Sequence, residues 1–174
     1  MATISQIIMV SFVAMFVENT IFTKALGTST LLIAAKNKHQ LLIFGICITY
    51  ISTSSSMLAY FADDLFLNKE SSFLYMPIIY VMIVAFVYVI TLLILWKFFN
   101  KTFGILKKFI HISSFNCAVL GALFLNTMYS DSFLGYVGYG LGTGIGFMIA
   151  AYLLTIVYDK LYSEEVPNSF RGYP

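Results

Sequence analysis

Phe115-Asn116-Cys117-Ala118-Val119-Leu120-Gly121 places an Asn-Cys pair inside an apolar run, in a chain built mostly of such runs. An amide at that depth breaks the pattern of a lipid-facing helix and marks a packed or functional position. The Cys117 thiol has two readings. It is a soft ligand suited to iron–sulfur chemistry, or a small hydrophobe filling a gap in a core. Asn116 beside it, at the break in apolar character, supports the ligand reading.

The surrounding composition sets the class. Of the 174 residues 60% are hydrophobic and 10% charged, which leaves too little polar surface for a soluble domain. The mean hydropathy of +0.88 agrees. The chain reads as one all-α integral membrane domain over residues 1–174. The N-terminus lacks a basic lead-in, and the first apolar run is long enough to span, so no cleavable signal is read. Cys47 and Cys117 lie in different apolar segments, against a disulfide framework. There is no phosphate-binding loop, zinc-ligand spacing or nucleic-acid patch.

Five spans are predicted at residues 4–23, 41–61, 73–98, 102–125 and 133–158. A short apolar piece, 31–35, follows the small-polar run Gly27-Thr28-Ser29-Thr30. Pro77 falls in the first turn of the third span, where proline is tolerated. Lys24, Lys36, Lys38, Lys97, Lys101, Lys107, Lys108, Lys160 and Arg171 fall in one set of loops or span ends, and Lys69 in the other, beside Asp63, Asp64 and Glu70. That asymmetry predicts an outside N-terminus and cytoplasmic basic loops. Each half carries an interrupted segment, Gly27 to Thr30 in the first and Asn116-Cys117 in the second. With three spans per unit the second unit enters from the opposite side. The expected fold is therefore an inverted repeat of three-helix units with broken helices, residues 1–99 and 100–174, which puts a site at mid-membrane.

Other residues carry weaker signals. Glu18 follows a long apolar run; it is either a cation or proton site on an ion path, or an interfacial acid near Lys24. Gly138, Gly142 and Gly146 are expected on one helix face and Gly140 and Gly144 on a neighbouring one, the small-residue spacing of close helix contacts. His111, in a basic stretch, reads as interfacial, and Cys47 as packing. The serines between Ser52 and Ser56 read as hydrogen-bonding to their own backbone or a neighbouring helix.

Phe16-Val17-Glu18-Asn19, Leu26-Gly27, Asn116-Cys117-Ala118-Val119-Leu120-Gly121, the glycine-rich start of the fifth span and Val166-Pro167-Asn168-Ser169-Phe170-Arg171-Gly172 together resemble, in order along the chain, the A subunit of the Rnf (Rsx) electron-transport complex. The E subunit of the sodium-translocating NADH:quinone reductase is similar. The resemblance implies six helices, five present here and a sixth beyond Pro174. It implies a homologous partner subunit of opposite orientation and a [2Fe–2S] cluster held in mid-membrane by two cysteines from each. Cys117 matches one ligand, with Asn116 supporting it. Ser29 stands where the other cysteine belongs, and a hydroxyl is a harder, less acidic ligand. His111 replaces a usual Pro, and Tyr158-Asp159 a usual Arg-Glu.

The reading is a membrane subunit of a ferredoxin:NAD oxidoreductase complex of the bacterial inner membrane. It relays electrons through the iron–sulfur site, coupled to sodium or proton translocation, and is not catalytic alone. The alternatives are a stand-alone small-molecule carrier and a cluster-less scaffold paralogue. The charge asymmetry makes a testable statement. Single-cysteine probes at Asp64 or Asp131 are expected to react with an impermeant thiol reagent added outside, and probes at Lys38 or Lys101 to stay protected. The reverse pattern overturns the orientation.

Overall fold

The computed structural model describes residues 2–35, 38–66, 72–98 and 102–161, and among these every regular element is helical. Helix α1 (Ala2–Phe12) runs into a π-helical turn, Val13–Val17. Then come α2 (Thr20–Lys24), α3 (Thr28–Ala35), α4 (Lys38–Phe66), α5 (Ser72–Phe98), α6 (Phe103–Ser114), α7 (Cys117–Tyr129) and α8 (Phe133–Leu161). Among the described residues three helices are long and apolar enough to cross a membrane: Gln40–Phe66, Leu74–Phe98 and Phe133–Val157. The α6–α7 pair, bent by 47°, makes a fourth if taken as one span. The first apolar helix, Ile4–Val17, is shorter.

The predicted segment 4–23 is thus not one continuous helix. Asn19 takes the backbone out of helical geometry and restarts it as α2. The predicted segment 102–125 divides at Phe115-Asn116 in the same manner. Helix α5 begins at Ser72, so Pro77 occupies the second turn rather than the first. The Val166 to Gly172 stretch, Lys36, Lys69, Lys101 and Arg171 lie outside the described residues.

The architecture is organised around α8, which touches α1, the π turn, α2, α3, α4 and α7. Its glycines explain how. Near Ile7 and Ser11 of α1 lies Gly138, near Ser11 and Ala14 lies Gly142, and near Met15 and Asn19 lies Gly146, so α1 and α8 run parallel. On α4, Gly140 faces Ser52 and Thr53 and Gly144 faces Thr49, while Gly45 faces Met148, so α4 runs antiparallel. At about 100° per residue the two glycine sets are about 200° apart. They therefore serve nearly opposite sides of α8, not neighbouring ones, and α8 is sandwiched between α1 and α4.

The backbones meet closely. A methyl group built on Gly138 would come 2.8 Å from the Ile7 carbonyl oxygen, and one on Gly140 2.8 Å from Thr53 Cα. One on Gly144 would run into Thr49 Cα. In lipid, where apolar side chains gain little by leaving their surroundings, such contact and the hydrogen bonds it permits drive association. Ser11 Oγ donates to the Gly138 carbonyl at 2.8 Å across the α1–α8 seam.

Helix α5 packs by one edge against α4, α6 and α7. Only 22% of its most apolar window is buried, against 50% for α4 and α8, which marks it as the peripheral span. At one end of the bundle Asp63 ties it in. This carboxylate, 2% exposed, accepts from Tyr80 Oη of α5 and Tyr136 Oη of α8, both at 2.7 Å.

Gly144→Leu is expected to destabilise the protein by about 1–3 kcal/mol or more, because the obstructing atoms are the Thr49 Cα and the Cβ and Oγ1 of its stiff β-branched side chain. Gly104 has nothing within 4 Å of its missing Cβ, so Gly104→Ala is expected to be neutral or slightly stabilising. Thermal unfolding in detergent, with the two variants side by side, checks the contrast.

Candidate functional site

Two breaks in the helical backbone define the site, and each is organised by an asparagine. In the first, Glu18 closes the π turn through its N–H to the Val13 carbonyl at 2.8 Å. Asn19, 2% exposed, then caps α2: its Oδ1 accepts from the N–H groups of Ile21 (3.0 Å) and Phe22 (3.4 Å). Its Nδ2 donates to the carbonyls of Met15 (2.9 Å) and Gly146 (3.1 Å). One side chain thus ends one helix, starts the next and holds both to α8, leaving no amide hydrogen-bonding group idle. Helix α2 stops after five residues, with Ala25 at φ 54° and Gly27 at φ 82° carrying the chain into α3.

In the second break, Phe115 ends α6 and Asn116 turns to extended geometry (φ −95°, ψ 131°). Asn116 Oδ1 accepts from the Ala118 N–H at 2.9 Å, which caps α7. The breaks pack against one another. A Cβ on Gly27 would stand 2.6 Å from Asn116 Oδ1 and 3.0 Å from Ala118 Cβ, and Gly121 receives the Leu26 side chain. Gly27 therefore meets two requirements at once, a positive φ and the close approach of Asn116.

Ser29 and Cys117 are placed by this contact. Ser29 is the second residue of α3 and Cys117 the first of α7. Both are exposed on the chain's own surface, on the two segments that Gly27 and Asn116 hold together. Cys47, by contrast, is buried in the core. Asn116 is 1% exposed, and its Nδ2 has no hydrogen-bond partner among the described residues. Among the described residues no group of three or more His, Cys, Asp and Glu side chains converges on a metal position.

A family model described as "Rnf-Nqr subunit, membrane protein" matches residues 7–172. The chain belongs to this family. It is similar to the A subunit of the ion-translocating oxidoreductase complex of Glaesserella parasuis, at 26% identity over 157 residues, covering 90% of this chain and 81% of the relative. The protein of the same name from Tolumonas auensis is 26% identical over 156 residues, with the same coverage. The A subunit of the Na(+)-translocating ferredoxin:NAD(+) oxidoreductase complex of Acetobacterium woodii is 24% identical over 168 residues, covering 97% of this chain and 88% of the relative. A membrane protein family fits the apolar helices described above.

The remaining sequence candidates fall around the breaks. Glu18 is partly buried; its carboxylate lies 3.6 Å from Lys24 Nζ and beside the Tyr129 side chain. Tyr129 in turn stacks on Tyr139 of α8 at 5.5 Å between ring centroids. His111 is exposed and pairs through Nδ1 with Tyr88 Oη at 3.1 Å. Of the serines in α4, Ser56 Oγ accepts from Asn126 Nδ2 of α7 at 3.0 Å, a helix-to-helix bond of the kind read from the sequence.

Two residues escaped sequence reading. Asn19 was visible only as part of a family stretch, although its position, a lone amide closing an apolar run, is the signal that drew attention to Asn116. Asp63 read as a loop acid; nothing local announces that Tyr80 and Tyr136 close over it. Asn19→Ala is expected to cost about 1–3 kcal/mol, combining a lost helix cap with the lost hydrogen bond to α8. Chemical or thermal unfolding of the purified variant measures this, and a loss below about 0.5 kcal/mol contradicts the anchoring role.

Proposed function

We propose that this chain is the A-type membrane subunit of an Rnf-type ion-translocating oxidoreductase of the bacterial inner membrane, entering with its N-terminus outside. The observation that carries the reading is the paired helix break, with Cys117 and Ser29 at the first turns of the two helices that restart there. The family match and the names of the relatives support it. In this reading the two breaks are equivalent points of an inverted repeat, residues 1–99 and 100–174. A homologous subunit of opposite orientation faces the surface on which Ser29 and Cys117 are exposed.

The donor set fits a shared [2Fe–2S] site in part. Cys117 offers one exposed thiol at the start of a 13-residue helix, whose positive end favours an anionic group. The unpaired Asn116 Nδ2 adjoins it, a buried donor of the kind that asks for a partner. Ser29 supplies oxygen rather than sulfur, and Cys47, buried on α4, does not replace it. A cluster bound there, with its other thiolates from the partner subunit, would provide a one-electron relay point inside the membrane. The tasks of this chain are mechanical and electrostatic. Asn116 fixes the start of α7, Gly27 lets the α2–α3 turn close on it, and the pair sets where Cys117 and Ser29 stand. Glu18, on the segment that enters the first break, is the residue offered to an ion path.

Ser29 also supports a second reading, a paralogue that keeps the fold as a scaffold of the complex without a cluster. Iron content and electron paramagnetic resonance of the complex purified through this chain separate the two. Cys117→Ala is expected to abolish the iron signal and ferredoxin-driven NAD reduction, and Ser29→Cys to raise iron occupancy. Unchanged iron and electron transfer in Cys117→Ala would leave the scaffold reading.

A further inference from the structure

Gly104, Lys107, Lys108 and His111 follow one another along α6 at steps of three, one and three residues, so they share one face of the helix. With Ile112 and with Tyr88 of α5 they line an open cavity of about 320 Å³. None of the described residues that line it is acidic.

The details suit an anion. Gly104 has no side chain and nothing within 4 Å of where one would begin, which keeps the cavity open at the first turn of α6. Lys107 Nζ lies 5.9 Å from the centroid of the Phe103 ring, so its stem is laid along the helix. Tyr88 Oη and His111 Nδ1 are 3.1 Å apart. With the phenol donating, the neutral imidazole carries its proton on Nε2 and has that donor left to offer. Two ammonium groups and an imidazole N–H, on a turn and a half of helix, match a phosphate.

The surroundings are those of a lipid-facing surface. Ile105 on α6 and Trp96 and Phe98 on α5 are large, apolar and mostly exposed. Trp96 with Lys97 is the aromatic–basic combination found at a membrane interface. We propose that this cleft between α5 and α6 binds the phosphate of an anionic phospholipid, Lys107, Lys108 and His111 holding the headgroup while the acyl chains lie against the apolar flank. Free phosphate shares the headgroup chemistry but has no use for that flank, which is the ground for choosing the lipid. The cleft adjoins the break through Phe115, whose ring packs on His111 and Tyr88, but neither Cys117 nor Ser29 lines it, so the inference does not rest on a cluster.

Native mass spectrometry of the full chain, within the complex that co-purifies with it, tests the proposal. The probes are phosphatidylglycerol, phosphatidylcholine with the same acyl chains, and inorganic phosphate. Phosphatidylglycerol is expected to be retained in preference to phosphatidylcholine. Losing both charges in K107Q/K108Q is expected to weaken that retention by on the order of tenfold or more. K107R/K108R should keep it, and K160Q, on α8, should leave it unchanged. Equal retention of the two lipids overturns the proposal. So does full retention by K107Q/K108Q, or inorganic phosphate binding as tightly as the lipid. An unaltered unfolding temperature of K107Q/K108Q without added lipid establishes that the loss is one of binding.

Discussion

The approach of the α8 backbone to two other backbones at once is the constraint on which the structure rests. Within a bilayer the gain from burying a leucine against another leucine is small, because lipid is as apolar as the side chain. What remains is contact density and hydrogen bonding, and both need helix axes close together. Glycine at every second position from 138 to 146 gives α8 two bare strips on nearly opposite sides. One admits α1 and the π turn, the other α4. The rest of the domain is arranged around this three-helix sandwich: α7 and α3 fill in beside α8, and α5 is added at the rim.

A second constraint follows from the same solvent. Interrupting a helix in the apolar region frees N–H and C=O groups that lipid cannot satisfy. The chain meets this twice with asparagine, whose side chain both donates and accepts. Asn19 uses its whole capacity, binding across to the Gly146 carbonyl as well as capping α2. Asn116 caps α7 and holds both N–H donors of its amide in reserve. That difference separates a break that serves folding from one with something left to offer a ligand.

The helical class and the positions of most apolar segments were legible because twenty-residue apolar runs have few other physical solutions. The close-contact role of the α8 glycines was legible for a similar reason: nothing else explains so many glycines at that spacing in an apolar helix. Their division between opposite faces was not read, although it follows from the helical repeat. The break at Asn116 was visible because it interrupts an apolar pattern. The break at Asn19 was hidden, since a single amide after Glu18 resembles the ordinary polar end of a span. The clamp on Asp63 was beyond reach of the sequence. It joins residues 17 and 73 positions apart, and only packing brings them together.

The α1–α8 seam has a mechanical consequence. Ser11 bonds Gly138 and Asn19 bonds Gly146, each pair 127 positions apart and the two bonds eight residues from one another. Two pins on one rod fix both its position along the axis and its rotation about it. A slip of one helical turn, about 5.4 Å, would break both bonds and carry Asn19 off Gly146, the last glycine of the strip. The first helix and α8 therefore move as a single strut. The turn at Gly27, the piece that leans on the start of α7, lies beyond both pins.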